Sequence, residues 1–386
     1  GSSLTLTIDS KYQQLADETL AKVYAQAQAK GDTQYSDGAY AVAMNPNTGA
    51  VLAISGLQHN PNTNKTVDDA LGVINRSFVM GSVVKGATVA GGLMNNVITP
   101  SNNSLADTPI YLPSTPVKKS VYPIGTFSSL TAPAALEVSS NIYMMQLTLK
   151  WVNAKYVPND YISMPDTAFE TLRNNFALFG LGQKTGIDLP GEVTGITGSS
   201  FDSSGNILSG SVLDLSYGNY DAYTAIQLLQ YVSTIANGGY KMRPYLVQSI
   251  GENSNDGTKN YIYQNSSPEP QSKINWNQDQ LNVIKQGFYN VVHGSNGWGT
   301  AKSLKDISPE VAGKTGTAQS FYYNPEDPNN QNPPETVTLS FVGYAPADKP
   351  EVAVAVVFPN LNASTTEHYN LTVAHDLFTN YFKLYQ

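Results

Sequence analysis

Strand-like runs at both ends of the chain most constrain the fold, because they predict a sheet built from distant segments. Residues 39–56 form two alternating runs around the turn cluster Asn45–Gly49, a pattern typical of a hairpin. Helical periodicity precedes the hairpin over Asp9–Lys30. The last third adds three β-like runs and a final helix: Val311–Ser320, Thr336–Tyr344, Glu351–Phe358 and Val373–Leu384. Helices that flank an antiparallel sheet predict an α+β fold.

The middle of the chain alternates helical patterns with polar stretches. Residues 131–150 and Asp221–Asn237 carry helical patterns, and Gly238-Gly239 is expected to end the second helix as a left-handed cap. Residues 101–130 are rich in Ser, Pro, Thr and Asn and predict an irregular loop. The chain has 386 residues, of which 41% are hydrophobic, and it shows no internal repeat or clear linker. These features predict one large domain or two closely joined lobes.

Composition excludes several classes of function. The net charge is −8, and no cluster of Lys and Arg is visible that could neutralise nucleic-acid phosphates. The absence of cysteine excludes disulfides, zinc fingers and thiol nucleophiles. The longest apolar run, Val352–Phe358, has the length of a strand and is too short to span a bilayer. The four histidines lie far apart without metal-ligand spacing: His59, His293, His368 and His375.

One lysine lies in the middle of an otherwise apolar or small-residue segment, "VMGSVVKGATVA" at residues 79–90. If Ser82 opens a helix there, Lys85 shares its face and lies within hydrogen-bond reach. Burial lowers the pKa of a lysine, and a second nearby cation lowers it further. Lys85 could then take the proton of Ser82 and make it a nucleophile. The N–H groups at the start of the helix would stabilise the oxyanion on the attacked carbonyl.

A purely structural interpretation of this pair stays open at this point. Lys85 could extend along the side of the helix and place its ammonium group in water. A Ser-x-x-Lys pattern also arises about once by chance in a chain of this length. The pair alone therefore favours structure over catalysis.

Two further motifs favour the catalytic interpretation of this pair, because Ser-x-x-Lys, Ser-x-Asn and Lys-Thr-Gly together form a known set for serine acyl transfer. Ser-x-Asn occurs twice. Ser101–Asn103 lies in the Pro/Asn/Ser loop and is interpreted as a turn. Ser139–Asn141 lies between apolar helical stretches, where polar side chains need partners. In this better candidate Ser139 could pass a proton, and Asn141 could hold Lys85 and a substrate amide.

Lys-Thr-Gly also occurs twice. Lys184–Gly186 is followed by the turn-rich stretch Ile187–Glu192, and a surface loop is favoured there. Lys314–Gly316 begins a strand-like run that continues through Thr317. The second copy is therefore the candidate for the site.

On a strand, Thr315 and Thr317 share one face and would face the cleft together. Gly316 would let a ligand approach the backbone closely. Lys314 and the threonine hydroxyls would bind a carboxylate, and Lys314 would also be the second cation beside Lys85. The backbone N–H of Thr317 would join the helix N-terminus as an oxyanion donor.

With all three motifs in order, the chain resembles the transpeptidase domain of a class B penicillin-binding protein over nearly its whole length. The Ser-Val-Val-Lys form and the last segments look most like the 2b type of streptococci and related Gram-positive bacteria. The stretches that carry the resemblance are "NPNTGAVLAISG", "NRSFVMGSVVKGATV", "LEVSSNIYM", "FGLGQKTGIDLPGE", "YTAIQLLQYVSTIANGG", "VAGKTGTAQS" and "FVGYAPADKPEVAVAVVF".

The resemblance implies a fold and an architecture. The fold is α+β and similar to penicillin-binding proteins and β-lactamases, with an antiparallel five-stranded sheet flanked by helices and a mostly helical subdomain that carries the Ser-x-x-Lys helix. Residues 1–386 would be one transpeptidase domain of a longer protein, with an N-terminal membrane anchor and a pedestal module, at the extracellular face of the cytoplasmic membrane. One departure is Met80, where the family usually has proline, so the turn is less rigid by sequence and the geometry of the nucleophile loop is left open, whereas the implied chemistry is unchanged.

The resemblance also implies a reaction. Ser82 would attack the carbonyl between two D-alanines of a peptidoglycan stem peptide, with Lys85 as the base. Terminal D-Ala would leave with a proton returned by Ser139 and Lys85, and an amine of a neighbouring stem would take the acyl group. β-Lactams would acylate Ser82 as substrate mimics. No metal or organic cofactor is implied, and a glycosyltransferase of the elongation machinery is the expected partner.

Three alternatives to this reading remain. A serine β-lactamase or a β-lactam sensor shares the motifs, but the best-known hydrolytic route needs a glutamate behind the serine, and the settings of Glu170 and Glu192 are more typical of surface or turn residues. A wall-binding scaffold could keep the fold without catalysis. A D,D-carboxypeptidase would differ only in preferring water to an amine.

Overall fold

The computed structural model describes residues 1–385 and divides them into ten helices and fifteen strands. The helices are α1 (Ser10–Ala29), α2 (Gly72–Asn75), α3 (Lys85–Met94), α4 (Ala132–Val138), α5 (Asn141–Trp151), α6 (Ala168–Leu178), α7 (Ser209–Ser216), α8 (Ala225–Ala236), α9 (Gln278–His293) and α10 (Tyr369–Tyr385). The strands are β1 (Ser3–Leu6), β2 (Gly38–Met44), β3 (Val51–Asn60), β4 (Lys65–Asp68), β5 (Ser77–Phe78), β6 (Leu105–Ala106), β7 (Ser129–Leu130), β8 (Tyr223–Thr224), β9 (Tyr240–Met242), β10 (Val247–Asn253), β11 (Lys259–Gln264), β12 (Pro270–Lys273), β13 (Ala312–Phe321), β14 (Glu335–Ala345) and β15 (Val352–Asn362). Short 3₁₀ turns cover Ser82–Val84 and Lys302–Leu304.

The central sheet joins both ends of the chain, and the predicted α+β class is confirmed. Its order is β13-β14-β15-β2-β3-β4, and every neighbouring pair is antiparallel. The expected sheet had five strands, and the sixth is the exposed edge strand β4. Its sequence, Lys-Thr-Val-Asp, lacks an alternating apolar pattern, and it pairs with the end of β3 beyond the predicted hairpin.

The apolar run in β15 is explained by burial on both faces of the sheet. Val354 and Val356 belong to a core shared with α1 and α10. Ala355 and Val357 point the other way, into a larger core shared with α3 and α8. A strand covered on both faces has no solvent-facing positions, so its sequence loses the usual alternation of apolar and polar residues.

Local signals set most helix ends as expected. The Asp9 carboxylate accepts the Tyr12 N–H at 2.8 Å and caps α1. Helix α8 begins later than predicted, because Thr224 and Gln227 form a capping box there. Gly238 follows its end with φ of 96°. Within residues 1–385, none of the helices combines the length and apolarity needed to cross a membrane.

The helix predicted over residues 131–150 is two helices, and this break forms part of the site. Ser139 ends α4 in the left-handed conformation, with φ of 59° and ψ of 54°. The Ser140 hydroxyl then caps α5 by accepting the Tyr143 N–H at 2.9 Å. The apolar residues on both sides made the segment look continuous, whereas its polar triplet forms a turn.

Candidate active site

The loop before α3 presents Ser82 at the surface of the larger core. Gly81 has φ of 76°, which suits glycine, and its N–H donates to the Gly218 carbonyl at 2.9 Å. The Ser340 hydroxyl donates to the Met80 carbonyl at 2.8 Å. These two bonds hold the loop in place of the proline that the family usually has at residue 80. Ser82 itself is 9% exposed.

Lys85 begins α3 and is completely buried. Its Nζ donates to the Ser139 carbonyl at 2.9 Å and to Asn141 Oδ1 at 2.7 Å, and it lies 3.0 Å from Ser139 Oγ. In the described residues, no hydrogen bond joins the Ser82 hydroxyl to Lys85. The pair was expected within bonding reach, but the second motif occupies the amine instead.

Burial lowers the pKa of Lys85 well below its ordinary value, and Lys314 nearby lowers the pKa further. A neutral amine has two N–H donors and one lone pair. The Ser139 carbonyl and Asn141 Oδ1 can only accept, so they take both N–H groups. The remaining contact then runs from the Ser139 hydroxyl to the lone pair of Lys85.

Lys314 lies on β13, is also completely buried, and approaches the same hydroxyl from the other side. Its Nζ donates to Ser139 Oγ at 3.0 Å and to the Thr315 carbonyl at 2.9 Å. Burial lowers the pKa of Lys314 to about 7. Since Lys314 donates to Ser139 Oγ, the Ser139 proton is free to point toward Lys85. The three side chains form an oriented chain along which a proton can move.

Asn141 is fixed by the loop that precedes the second motif. Its Nδ2 donates to the Lys119 carbonyl at 3.3 Å, and its backbone N–H donates to Ser120 Oγ at 3.0 Å. The amide oxygen therefore stays turned toward Lys85.

The third motif forms the open edge of the sheet. Thr315 and Thr317 lie on one face of β13, and Thr317 is exposed. The Thr315 and Thr300 hydroxyls lie 2.6 Å apart. Gly316 was expected to admit a ligand, but an added Cβ would lie 2.2 Å from Ser340 Oγ and 2.6 Å from the Met80 carbonyl oxygen. The groups that approach this glycine are Ser340 and the protein's own loop that carries Ser82.

The rejected copies of the two motifs lie in turns. In the rejected Ser-x-Asn copy, Ser101–Asn103, the Asn103 amide donates to the Thr99 carbonyl at 3.0 Å and closes a local turn. In the rejected Lys-Thr-Gly copy, Lys184–Gly186, the Thr185 hydroxyl donates to Glu192 Oε2 at 2.5 Å, and the Gly186 N–H donates to the same carboxylate at 3.0 Å. Glu192 thus holds a turn, and Glu170 is an exposed residue in the first turn of α6.

Sequence reasoning missed several residues that surround the motifs. Asp107, Ser120 and Tyr122 all lie in the segment predicted as an irregular loop, and none belongs to a motif. Thr300 likewise lacked any signal beyond its position before β13. Only the folded chain brings these side chains to the site. No group of three or more His, Asp or Glu able to hold a metal ion occurs in residues 1–385.

The family model for the penicillin binding protein transpeptidase domain matches residues 39–383. The chain belongs to the penicillin-binding-protein transpeptidase family. Penicillin-binding protein 2B of Streptococcus pneumoniae strain D39 is 37% identical over 99% of this chain and 55% of that protein. Penicillin-binding protein 2A of Bacillus subtilis strain 168 is 37% identical over all of this chain and 52% of that protein.

A solved structure supports the same family assignment. Penicillin-binding protein 2B from Streptococcus pneumoniae strain R6 matches with a TM-score of 0.90 and 36% identity, over all of this chain and 60% of that one. The resemblance to the 2b type of Gram-positive penicillin-binding proteins is therefore confirmed. The chain spans about half the length of the curated relatives that it matches.

Proposed function

We propose that this domain is a serine D,D-transpeptidase that cross-links peptidoglycan stem peptides and is acylated by β-lactams. One observation carries the proposal. Two completely buried lysines, Lys85 and Lys314, contact the same Ser139 hydroxyl at 3.0 Å, and Lys85 follows Ser82 by one helical turn. Unpaired buried ammonium groups are costly, so this pair is expected where an uncharged amine is needed.

The nucleophile is Ser82, and Lys85 is its base in the acylation step. Ser82 Oγ bonds to the carbonyl carbon between two D-alanines while its proton passes to Lys85. The oxyanion lies between the backbone N–H groups of Ser82 and Thr317. The bond to the terminal D-Ala then breaks, and its nitrogen receives the proton through Lys85 and Ser139. An amine of a second stem then attacks the ester carbonyl and forms the new amide bond, and Ser82 leaves as a hydroxyl with the proton that the amine loses.

The remaining motif residues position the substrate. Asn141 holds Lys85 and a substrate amide. Lys314, Thr315 and Thr317 bind the terminal carboxylate, and the close packing at Gly316 keeps that strand against the nucleophile loop. β-Lactams present a carboxylate and a reactive carbonyl in the same arrangement, so they enter as substrate mimics.

Setting and partners follow from the same family membership. The domain acts at the extracellular face of the cytoplasmic membrane, where its substrate lies, as one domain of a longer protein that carries an anchor. A glycosyltransferase of the elongation machinery supplies the glycan strands. The match to relatives about twice as long supports this arrangement.

Labelling with a fluorescent penicillin, followed by intact mass and peptide mapping, tests the proposal. A lasting adduct on Ser82 that Ser82→Ala abolishes is the expected result. Rapid turnover without an adduct would instead indicate a β-lactamase. The absence of any reaction in a folded protein would leave only a wall-binding scaffold. Transpeptidation itself requires a donor peptide and an amine acceptor, with the cross-linked product identified by mass.

A further inference from the structure

Asp107 is a buried carboxylate without a cationic partner in the described part of the chain. It is 5% exposed, and none of the salt bridges among residues 1–385 includes it. Its two oxygens accept from hydroxyl groups, Oδ1 from Ser140 at 3.0 Å and Oδ2 from Tyr122 at 2.8 Å. Burying a carboxylate in this way is costly, so the role of Asp107 is expected to lie in the groups to which it is hydrogen-bonded.

What Asp107 holds is the middle residue of the second motif. The Ser140 hydroxyl has one proton, which it gives to Asp107, so its lone pairs are turned to the Tyr143 N–H at 2.9 Å. Ser120 Oγ lies 3.4 Å from the same hydroxyl and accepts the Asn141 N–H at 3.0 Å. The carboxylate therefore sets the direction of the hydrogen bonds that the Ser140 hydroxyl makes.

The turn needs such support because of its backbone. Ser139 is held in the left-handed region with φ of 59°, which a serine adopts only when its surroundings impose it. Both residues next to Ser140 contact Lys85, Ser139 at 2.9 Å and 3.0 Å and Asn141 at 2.7 Å. A relaxed turn would move both contacts at once.

We propose that Asp107 is a positioning residue for acyl transfer, which holds the turn at Ser139–Asn141 in the geometry that orients Lys85. The inference rests on the proposed function. The loop that carries Asp107 is itself fixed, because β6 pairs with β7 and the Asp107 N–H donates to the Ser128 carbonyl at 3.0 Å. Asp107 touches no reacting atom and acts through Ser140.

The test is the kinetics of acylation of Asp107→Asn by a fluorescent penicillin. An amide presents its NH₂ group to one of the two hydroxyl donors, so either the Ser140 or the Tyr122 proton has to turn away. The acylation rate constant at saturating penicillin should fall about tenfold, and the apparent Kd should stay within about twofold of wild type. The loss should persist at every pH at which the wild-type rate constant is at its plateau, because orientation is lost rather than protonation.

The matched control is Asp221→Asn, which makes the same change at a carboxylate that is also 5% exposed. Asp221 accepts from Arg173 at 2.8 Å and 2.9 Å and has no bond to the three motifs. This variant should lower the Tm but leave the acylation rate constant of the folded fraction unchanged. Tyr122→Phe keeps the ring and removes one of the two hydroxyl donors to Asp107, so it replaces Asp107→Asn as the test variant if Asp107→Asn does not fold. Its acylation rate constant should fall about threefold.

Equal acylation by wild type and Asp107→Asn per folded molecule would overturn the inference. So would an unchanged plateau with the acid limb moved to lower pH, because the carboxylate would then act only through its charge on Lys85 and Lys314. Neither result affects the proposed function. That function fails separately, if the wild-type protein forms no adduct at Ser82.

Discussion

Substituting Gly316 by alanine should displace the nucleophile without touching it. The new methyl group would lie 2.2 Å from Ser340 Oγ, 2.6 Å from the Met80 carbonyl oxygen and 3.1 Å from Val83 Cγ1. Ser340 can rotate away at the loss of its bond to Met80, which costs about 1 kcal/mol. The Met80 oxygen belongs to the backbone, so the loop has to move, and overpacking of this kind costs about 1–3 kcal/mol.

The two costs add to about 2–4 kcal/mol of unfolding free energy. Displacement of Ser82 by several tenths of an ångström should also lower the acylation rate constant by about tenfold. Urea denaturation measures the first effect, and penicillin labelling of the folded fraction measures the second.

Gly210→Ala is the matched control for this prediction. Its methyl group would meet Leu112 and Lys118 at 3.5 Å, an ordinary contact, on helix α7. The control should acylate normally and gain up to about 1 kcal/mol of stability from better helix propensity. The reasoning is refuted if Gly316→Ala acylates within threefold of wild type and unfolds at the same urea concentration.

Three further predictions concern groups around the site. Burial lowers the pKa of Lys314 to about 7, so between that pH and about 10 the unfolded chain holds a proton that the folded protein has lost. The unfolding free energy should therefore rise with pH in this window, and Lys314→Met should reduce the rise to the part that Lys85 contributes. A flat urea-midpoint curve for wild type would contradict this prediction. Thr300→Val removes the 2.6 Å contact with Thr315 and should raise the apparent Kd for penicillin about threefold to tenfold at an unchanged limiting rate; a change in rate alone would contradict it. Thr224→Ala removes the capping box with Gln227 and should lower the unfolding free energy by about 1–2 kcal/mol. Calorimetry measures this loss, and an unchanged Tm would contradict it.

Much of the fold could be predicted because local signals agree with the tertiary structure. The hairpin, the three C-terminal strands and the two terminal helices were found from apolar periodicity and turn residues. Strand β4 was missed, because its four residues are all exposed and carry no pattern. The break at Ser139 was missed for the opposite reason, since apolar residues on both sides hide a turn that is imposed by contacts from another segment.

The motif residues could be located from sequence because each is an unusual residue type in its setting, such as Lys85 in an apolar helix. Their contacts could not be predicted. The direct bond expected between Ser82 and Lys85 is absent from the described residues, and the Ser139 hydroxyl contacts both amines instead. Asp107 gave no signal, because a lone acidic residue in a polar loop looks solvated until the chain folds over it.

The anchoring of the nucleophile loop has a consequence for how the protein matures. The loop depends on Gly218 and on Ser340, which lies on β14, 260 residues after Met80 in the chain. A nascent or refolding chain that has not yet docked this strand contains the serine but lacks its reactive geometry. Under the proposed function, acylation by penicillin therefore requires β14 to be in place, and the appearance of penicillin-reactive molecules during refolding should follow the docking of this strand.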